Sequence, residues 1–249
     1  MIILKKTSEI AMMRESGRIL ARTMRQVYEA IDPGKTTPKH LDDLADRLIR
    51  EAGGIPSYKG YRGYPAATCL SVNSMVVHGI PDDRPLVDGD IIGIDLGVIK
   101  DGWHSDSCRT YAVGTISPIA QKLLNVTQEA LNQGIAQAKI GKTIGDIAAT
   151  VQRYVEKNGF HVVRDLVGHG IGKSLHESPS VPNFGKPGKG PMIKEGLTIC
   201  IEPMVNEGTP KVIYLDDGWT CLTADGKLSA HFEHTVAVTK DGPEILTLE

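Results

Sequence analysis

The feature that most constrains this chain of 249 residues is a set of short segments that recur at one fixed offset, 107 positions. Gly34-Lys35-Thr36 returns as Gly141-Lys142-Thr143, and Gly89-Asp90-Ile91-Ile92-Gly93-Ile94-Asp95 returns in pattern as Gly196-Leu197-Thr198-Ile199-Cys200-Ile201-Glu202. Leu44 and Leu48 fall on Val151 and Val155 at the same offset. Self-similarity at a fixed period marks repeated architecture. The reading is a duplicated α/β half, about residues 8–113 and 115–240, within one domain spanning 1–249. No low-complexity linker separates the copies, so they are expected to close on a shared site.

Each copy reads as helices followed by strands. Ile10, Met13, Gly17, Leu20, Met24, Val27 and Ile31 recur in steps of three and four and predict a first helix, stopped by Asp32-Pro33-Gly34. Thr37-Pro38 and Ser117-Pro118 each place a cap residue before a proline and start two more. The first of these points Leu41, Leu44 and Leu48 inward and ends at Gly53-Gly54; the second stops before Gly141. A fourth helix runs from Thr143 through Ile147, Val151 and Val155 to Gly159. Asp90 to Val98 and Trp103 to Val113 flank Lys100-Asp101-Gly102 and predict a hairpin. Leu197–Ile201 and His231–Val238 read as further strands.

Acids in apolar strands carry the chemistry. Asp95 and Asp106 lie on the two arms of the hairpin. With a two-residue loop they face the same side, opposite or diagonal; a three-residue loop breaks that parity. Glu202 repeats the position of Asp95, and Glu233 lies in His231-Phe232-Glu233-His234-Thr235. A carboxylate stripped of water costs several kcal/mol unless a cation or donor compensates. His78 and His169 each precede Gly-Ile, and His176 follows in Leu175-His176-Glu177. Four carboxylates with one or two imidazoles suit a pair of Mn²⁺, Fe²⁺, Co²⁺ or Zn²⁺ ions and do not suit a thiolate-rich structural zinc site.

Composition and failed motifs narrow the alternatives. Lys plus Arg (28) nearly balances Asp plus Glu (30), and aromatic residues make up 5%, which argues against a nucleic-acid-binding surface. No apolar run approaches a membrane span, and the N-terminus lacks a signal-peptide pattern. Cys69, Cys108, Cys200 and Cys221 form no C-x-x-C and read as reduced thiols of a cytoplasmic protein. There is no H-E-x-x-H and no G-x-S-x-G, and Gly168–Ser174 is one residue short of a phosphate loop.

At these residues the chain resembles the type I methionine aminopeptidases of the short bacterial type, which have the α+β "pita-bread" fold. The carrying segments are Cys69–Asn73 through His78-Gly79-Ile80-Pro81; Asp95 and Asp106; Gly168–Gly172; Leu175-His176-Glu177; Glu202-Pro203-Met204; and Glu233-His234-Thr235. The resemblance implies a single catalytic domain whose two pseudo-symmetric halves surround a central metal site. It implies that Asp95, Asp106, His169, Glu202 and Glu233 hold two divalent ions (Co, Mn, Fe or Zn). Glu202 would also move the proton in catalysis, and His78 and His176 would bind the scissile amide and the tetrahedral intermediate. Tyr61, Tyr64, Cys69, Leu175 and Trp219 would hold the methionine side chain. Leu175 stands where many members have an aromatic residue. The implied activity is metal-assisted removal of N-terminal methionine from nascent peptides, at the ribosome, with a small second residue preferred, by a monomer. A metal-free amidinohydrolase or a non-catalytic binder on this scaffold would be expected to lack part of the five-residue set, and all five are present.

Overall fold

The computed structural model describes all residues, 1–249. Four helices, α1 (Thr7–Glu29), α2 (Pro38–Glu51), α3 (Pro118–Ala136) and α4 (Ile144–Lys157), form around the predicted stripes. Thr37 accepts the His40 N–H at 3.1 Å and Ser117 accepts the Ala120 N–H at 3.2 Å, so both predicted caps satisfy an orphan donor. The helix α1 ends at Glu29, which leaves Ile31 beyond it. In α2 the fully buried face is Leu41, Ala45 and Ile49 together with Asp42, while Leu44 and Leu48 pack at its margin. The stripe is turned because Asp42 is drawn inward: its Oδ1 accepts the Ala67 and Thr68 N–H groups and the Thr68 hydroxyl at 2.8–2.9 Å.

The strands are β1 (Ile55–Pro56), β2 (Thr68–Val72), β3 (Met75–Val77), β4 (Ile91–Lys100), β5 (Trp103–Ala112), β6 (His161–Val162), β7 (Gly168–Gly170), β8 (Glu177–Val181), β9 (Thr198–Ile201), β10 (Met204–Asn206), β11 (Val212–Tyr214), β12 (Cys221–Thr223), β13 (Ser229–His231), β14 (His234–Thr239) and β15 (Gly242–Ile245). One sheet runs β1-β4-β2 with β5 paired to β4; another runs β15-β14-β9-β7-β8. Two three-stranded sheets, β13-β10-β6 and β11-β12-β3, complete the fold. The helices α1 and α2 cover β2 and β4 through Leu20, Leu41, Ile49, Leu70 and Ile94. The helices α3 and α4 cover β9, β10 and β14 through Leu123, Leu131, Ile147, Val151, Ile199 and Val236. Shifted by 107 positions, α2 falls within one residue of α4, and β4 falls on β9 and β10.

The β4–β5 hairpin closes through a two-residue loop, Asp101-Gly102, with φ of 51° and 78°. Both values are positive, as a type I′ turn requires. Asp95 therefore pairs with Cys108 and Gly97 with Asp106, so the two acids share a face on a diagonal.

The predicted strand His231–Val238 is not continuous. It breaks between β13 and β14, which belong to different sheets, and its partner breaks between β9 and β10. The register nevertheless runs on across the gap, from His234 opposite Ile201 to His231 opposite Met204. Pro203 has no N–H to give the ladder. The Glu233 N–H turns instead to the Cys108 carbonyl of β5 at 2.8 Å. No helix is long and apolar enough to cross a membrane.

Candidate metal centre

The break in the ladder decides where the acids meet. Glu202 and Glu233 sit in the two gaps, and the Glu233–Cys108 bond draws Glu233 against β5 beside Asp106. Asp95, Asp106 and Glu233 are 8%, 3% and 2% exposed, respectively. His169 comes from β7, whose glycines let neighbouring backbone close in. A Cβ on Gly170 would lie 2.4 Å from the Ser178 carbonyl oxygen and push the strand off β8.

All five residues line one cavity of about 230 Å³. Donor atoms of Asp106, His169, Glu233 and Cys200 lie within 4.8 Å of one another. His169 Nε2 is 3.8 Å from Asp106 Oδ2 and 3.7 Å from Glu202 Oε1. Its Nδ1 is 2.9 Å from the Gly170 carbonyl. A carbonyl only accepts, so Nδ1 donates and Nε2 is the nitrogen that faces the carboxylates. Such an orienting bond is what a metal-ligating imidazole normally has.

The electrostatics are those of anions held together against their preference. Burial pushes the Asp95 carboxyl up to about 6 and the Glu202 carboxyl up to about 7. Burial and then the neighbouring carboxylates push Asp106 and Glu233 well above the usual range. Buried Glu233 Oε1 has no hydrogen-bond partner. The Tyr58 hydroxyl lies 2.6 Å from Asp95 Oδ1 and also contacts Asp106 Oδ1, but it has one proton for two carboxylates. Four oxygen donors, one oriented imidazole and an orphaned buried oxygen fit divalent ions of the Mn, Fe, Co or Zn kind. The Cys200 thiol, pushed well up by burial, stays protonated against Thr235.

Above the acids stand the other predicted residues. His78 has a φ of 58° and lies edge-on to Trp219, and burial lowers its imidazole to about 4. His176 packs 4.2 Å from the His169 ring, and burial followed by His169 lowers it to about 3. Its Nδ1 is 2.8 Å from the Tyr61 hydroxyl. The wall is completed by Tyr64, Cys69, Leu175 and Trp219, with Trp219 carried by the loop between β11 and β12. Tyr64 meets Trp219 edge to face at 5.1 Å, while Cys69 and Leu175 are 4% and 2% exposed. All twelve residues singled out in the sequence border this one cavity.

Seven further residues border it, and two of them touch the acids. Tyr58 reaches Asp95 and Asp106, and His231 Nε2 lies 3.5 Å from Glu202 Oε2. His231 was detectable through the repeat: it pairs with Met204, which lies 107 positions after Gly97, the partner of Asp106.

Comparison with known proteins gives a concordant picture. Residues 11–240 match metallopeptidase family M24. The chain is 53% identical to a methionine aminopeptidase of Clostridium perfringens over 248 residues, covering 100% of this chain and 99% of that one. It is 51% identical to methionine aminopeptidase 1 of Bacillus subtilis, with 99% of each covered. The crystal structure of methionine aminopeptidase from Rickettsia prowazekii superposes with a TM-score of 0.98 at 42% identity, covering 100% of both chains. The prolidase of Pyrococcus furiosus, at 23% identity, shares the fold with a TM-score of 0.79 over 99% of this chain and 66% of its own.

Proposed function

The chain belongs to metallopeptidase family M24, and from that premise we propose that it removes N-terminal methionine from peptides by metal-assisted hydrolysis. It is a metal-dependent methionyl aminopeptidase. The observation that carries this reading is the buried set of four carboxylates and His169 Nε2, with Glu233 Oε1 unpaired, on the floor of a cavity walled by aromatic rings and a thiol.

Asp95, Asp106, His169, Glu202 and Glu233 hold two divalent ions in this reading. Such ions supply Lewis acidity at the scissile carbonyl and lower the pKa of the attacking water. Glu202 accepts the proton that the water loses and returns it to the leaving amine. His78 and His176 are neutral at physiological pH, so each offers one N–H. Tyr61 can donate to His176 Nδ1, which leaves the His176 Nε2–H free for the oxyanion. Tyr61, Tyr64, Cys69, Leu175 and Trp219 receive the methionine side chain, since a thioether gains from sulfur–aromatic contact. A small second residue is preferred because bulk there would crowd the carboxylates. The natural substrates are nascent peptides met at the ribosome by a cytoplasmic monomer. The two segments offset by 107 positions are duplicated halves closing on the centre.

The test uses chelated protein reloaded separately with Mn²⁺, Fe²⁺, Co²⁺ and Zn²⁺ on Met-Ala-Ser, Leu-Ala-Ser and Met-Lys-Ser. Cleavage of Met-Ala-Ser alone, restored by metal and lost in Glu202→Gln, is expected. Cleavage that survives chelation, or that ignores the first residue, would contradict the assignment.

A further inference from the structure

Glu202 lies between two imidazoles, one on each carboxylate oxygen. His169 Nε2 is 3.7 Å from Oε1, and His231 Nε2 is 3.5 Å from Oε2. His231 is 4% exposed, borders the cavity, and its Nε2 has no hydrogen-bond partner. An unpartnered polar atom this deeply buried costs roughly 1–3 kcal/mol.

The backbone of His231 is pinned. Its N–H donates to Thr110 Oγ1 at 2.9 Å, and the Thr110 hydroxyl lies 2.9 Å from its carbonyl. The ring nitrogen, a carboxylate oxygen of Asp95 and Cys108 Sγ lie within 4.8 Å of one another. Each of those neighbours has one other contact. The Cys108 thiol donates to the His231 carbonyl at 3.5 Å, and Asp95 meets the Tyr58 hydroxyl. Glu202 Oε2, at 3.5 Å, is the carboxylate oxygen that pairs with Nε2, and a shift of about half an ångström brings the two to hydrogen-bond length.

We propose that His231 is a positioning residue for Glu202: its Nε2–H holds Oε2 and stops the carboxylate from turning, so that Oε1 stays toward His169 and the proton-carrying oxygen keeps one orientation. The proposal rests on Glu202 moving the proton. The role needs a donor of imidazole length at position 231 and no charge change there. It also accounts for a histidine on a strand end where an apolar residue would pack without leaving an orphan donor.

The test compares His231→Gln, His231→Asn and His231→Leu with wild type, each loaded with Mn²⁺ and checked for bound metal by elemental analysis. In His231→Leu, kcat on Met-Ala-Ser is expected to fall about 10- to 100-fold, with KM within about threefold and bound metal equal to wild type. His231→Asn, too short to reach, should match it, which keeps the test intact if the leucine variant does not fold. His231→Gln should recover most of the loss. In chelated protein, the His231 Nε2–H signal in ¹⁵N NMR should shift on Glu202→Gln. Wild-type kcat in His231→Leu or His231→Asn, metal lost in proportion to activity, or a glutamine variant no better than asparagine would overturn the proposal. If Glu202→Gln were active, the proton-transfer reading itself would fail, whatever the His231 variants did.

Discussion

Glu233→Gln should make the metal-depleted protein more stable and should gain less stability than wild type when metal is added. Glu233 is 2% exposed, and burial together with Asp106, Glu202 and Asp95 holds its carboxyl well above its ordinary value of 4.5. In the folded, chelated protein it therefore keeps its proton to higher pH than it does in the unfolded chain. Each pH unit by which the folded value exceeds the unfolded one costs about 1.4 kcal/mol. Folded-state pKa lies above unfolded, so the carboxyl costs nothing below the unfolded value, and stability is lost as pH rises above it. Glutamine keeps the shape and removes the titration. Chelated Glu233→Gln should melt above chelated wild type at pH 7.5, by about 2–4 °C for each kcal/mol of penalty removed in a chain of this size. The gain should shrink by about 1.4 kcal/mol per pH unit on acidification toward pH 5. Metal should oppose that gain: free ion at 100 times its Kd adds about 2.7 kcal/mol to wild type, and the variant lacks the Glu233 carboxylate to hold it. Differential scanning calorimetry over pH, with and without Mn²⁺, reads all three effects. If chelated Glu233→Gln were no more stable than wild type, or its advantage did not vary with pH, Glu233 would not be held against its charge.

Three further outcomes follow from residues around the cavity. His78, lowered to about 4 by burial, refuses a proton that the unfolded chain takes below about 6.5, so wild type loses stability as pH falls between those values. His78→Asn, which tolerates the left-handed backbone, should lack that loss, and the stability gap should narrow from pH 7 to 5 in denaturant titrations; parallel curves would contradict it. Leu175→Phe should narrow the wall beside Tyr64 and Cys69 and raise the Met-Ala-Ser over Leu-Ala-Ser ratio of kcat/KM by about tenfold; an unchanged ratio would put the selective contact elsewhere. A peptide beginning Met-Ile-Ile, the sequence of residues 1–3, should resist cleavage under conditions that cleave Met-Ala-Ser, and its turnover would count against the preference for a small second residue.

What the sequence made legible was whatever is fixed locally. Thr37-Pro38 and Ser117-Pro118 start helices because cap and ring geometry act within one turn. Asp101-Gly102 closes a two-residue loop, and parity then puts Asp95 and Asp106 on one face with no tertiary information. Tyr58 was not legible, because its reach depends on strand order. The strand β1 pairs with the end of β4, and the following chain crosses Gly97, where a Cβ would stand 3.1 Å from the Tyr58 ring. Nothing local in Ser57-Tyr58-Lys59 announces that crossing.

The misread strand is the instructive case. His231–Val238 reads as one strand, but Pro203 cannot complete the ladder beside Glu202, and the opposing gap falls at Phe232-Glu233. The break costs ladder bonds, and the Glu233–Cys108 bond to β5 offsets part of that cost. What it achieves is convergence. The Asp95 and Asp106 pair is displayed by an intact hairpin, whose pleat fixes their spacing. The second pair is released from the ladder, so Glu202 and Glu233 can lean toward the first. Two unbroken hairpins would each present their acids from a regular sheet face, at spacings set by the pleat rather than by the ions. The interruption at Pro203 thus lets Glu202 and Glu233 join Asp95 and Asp106 in one cavity.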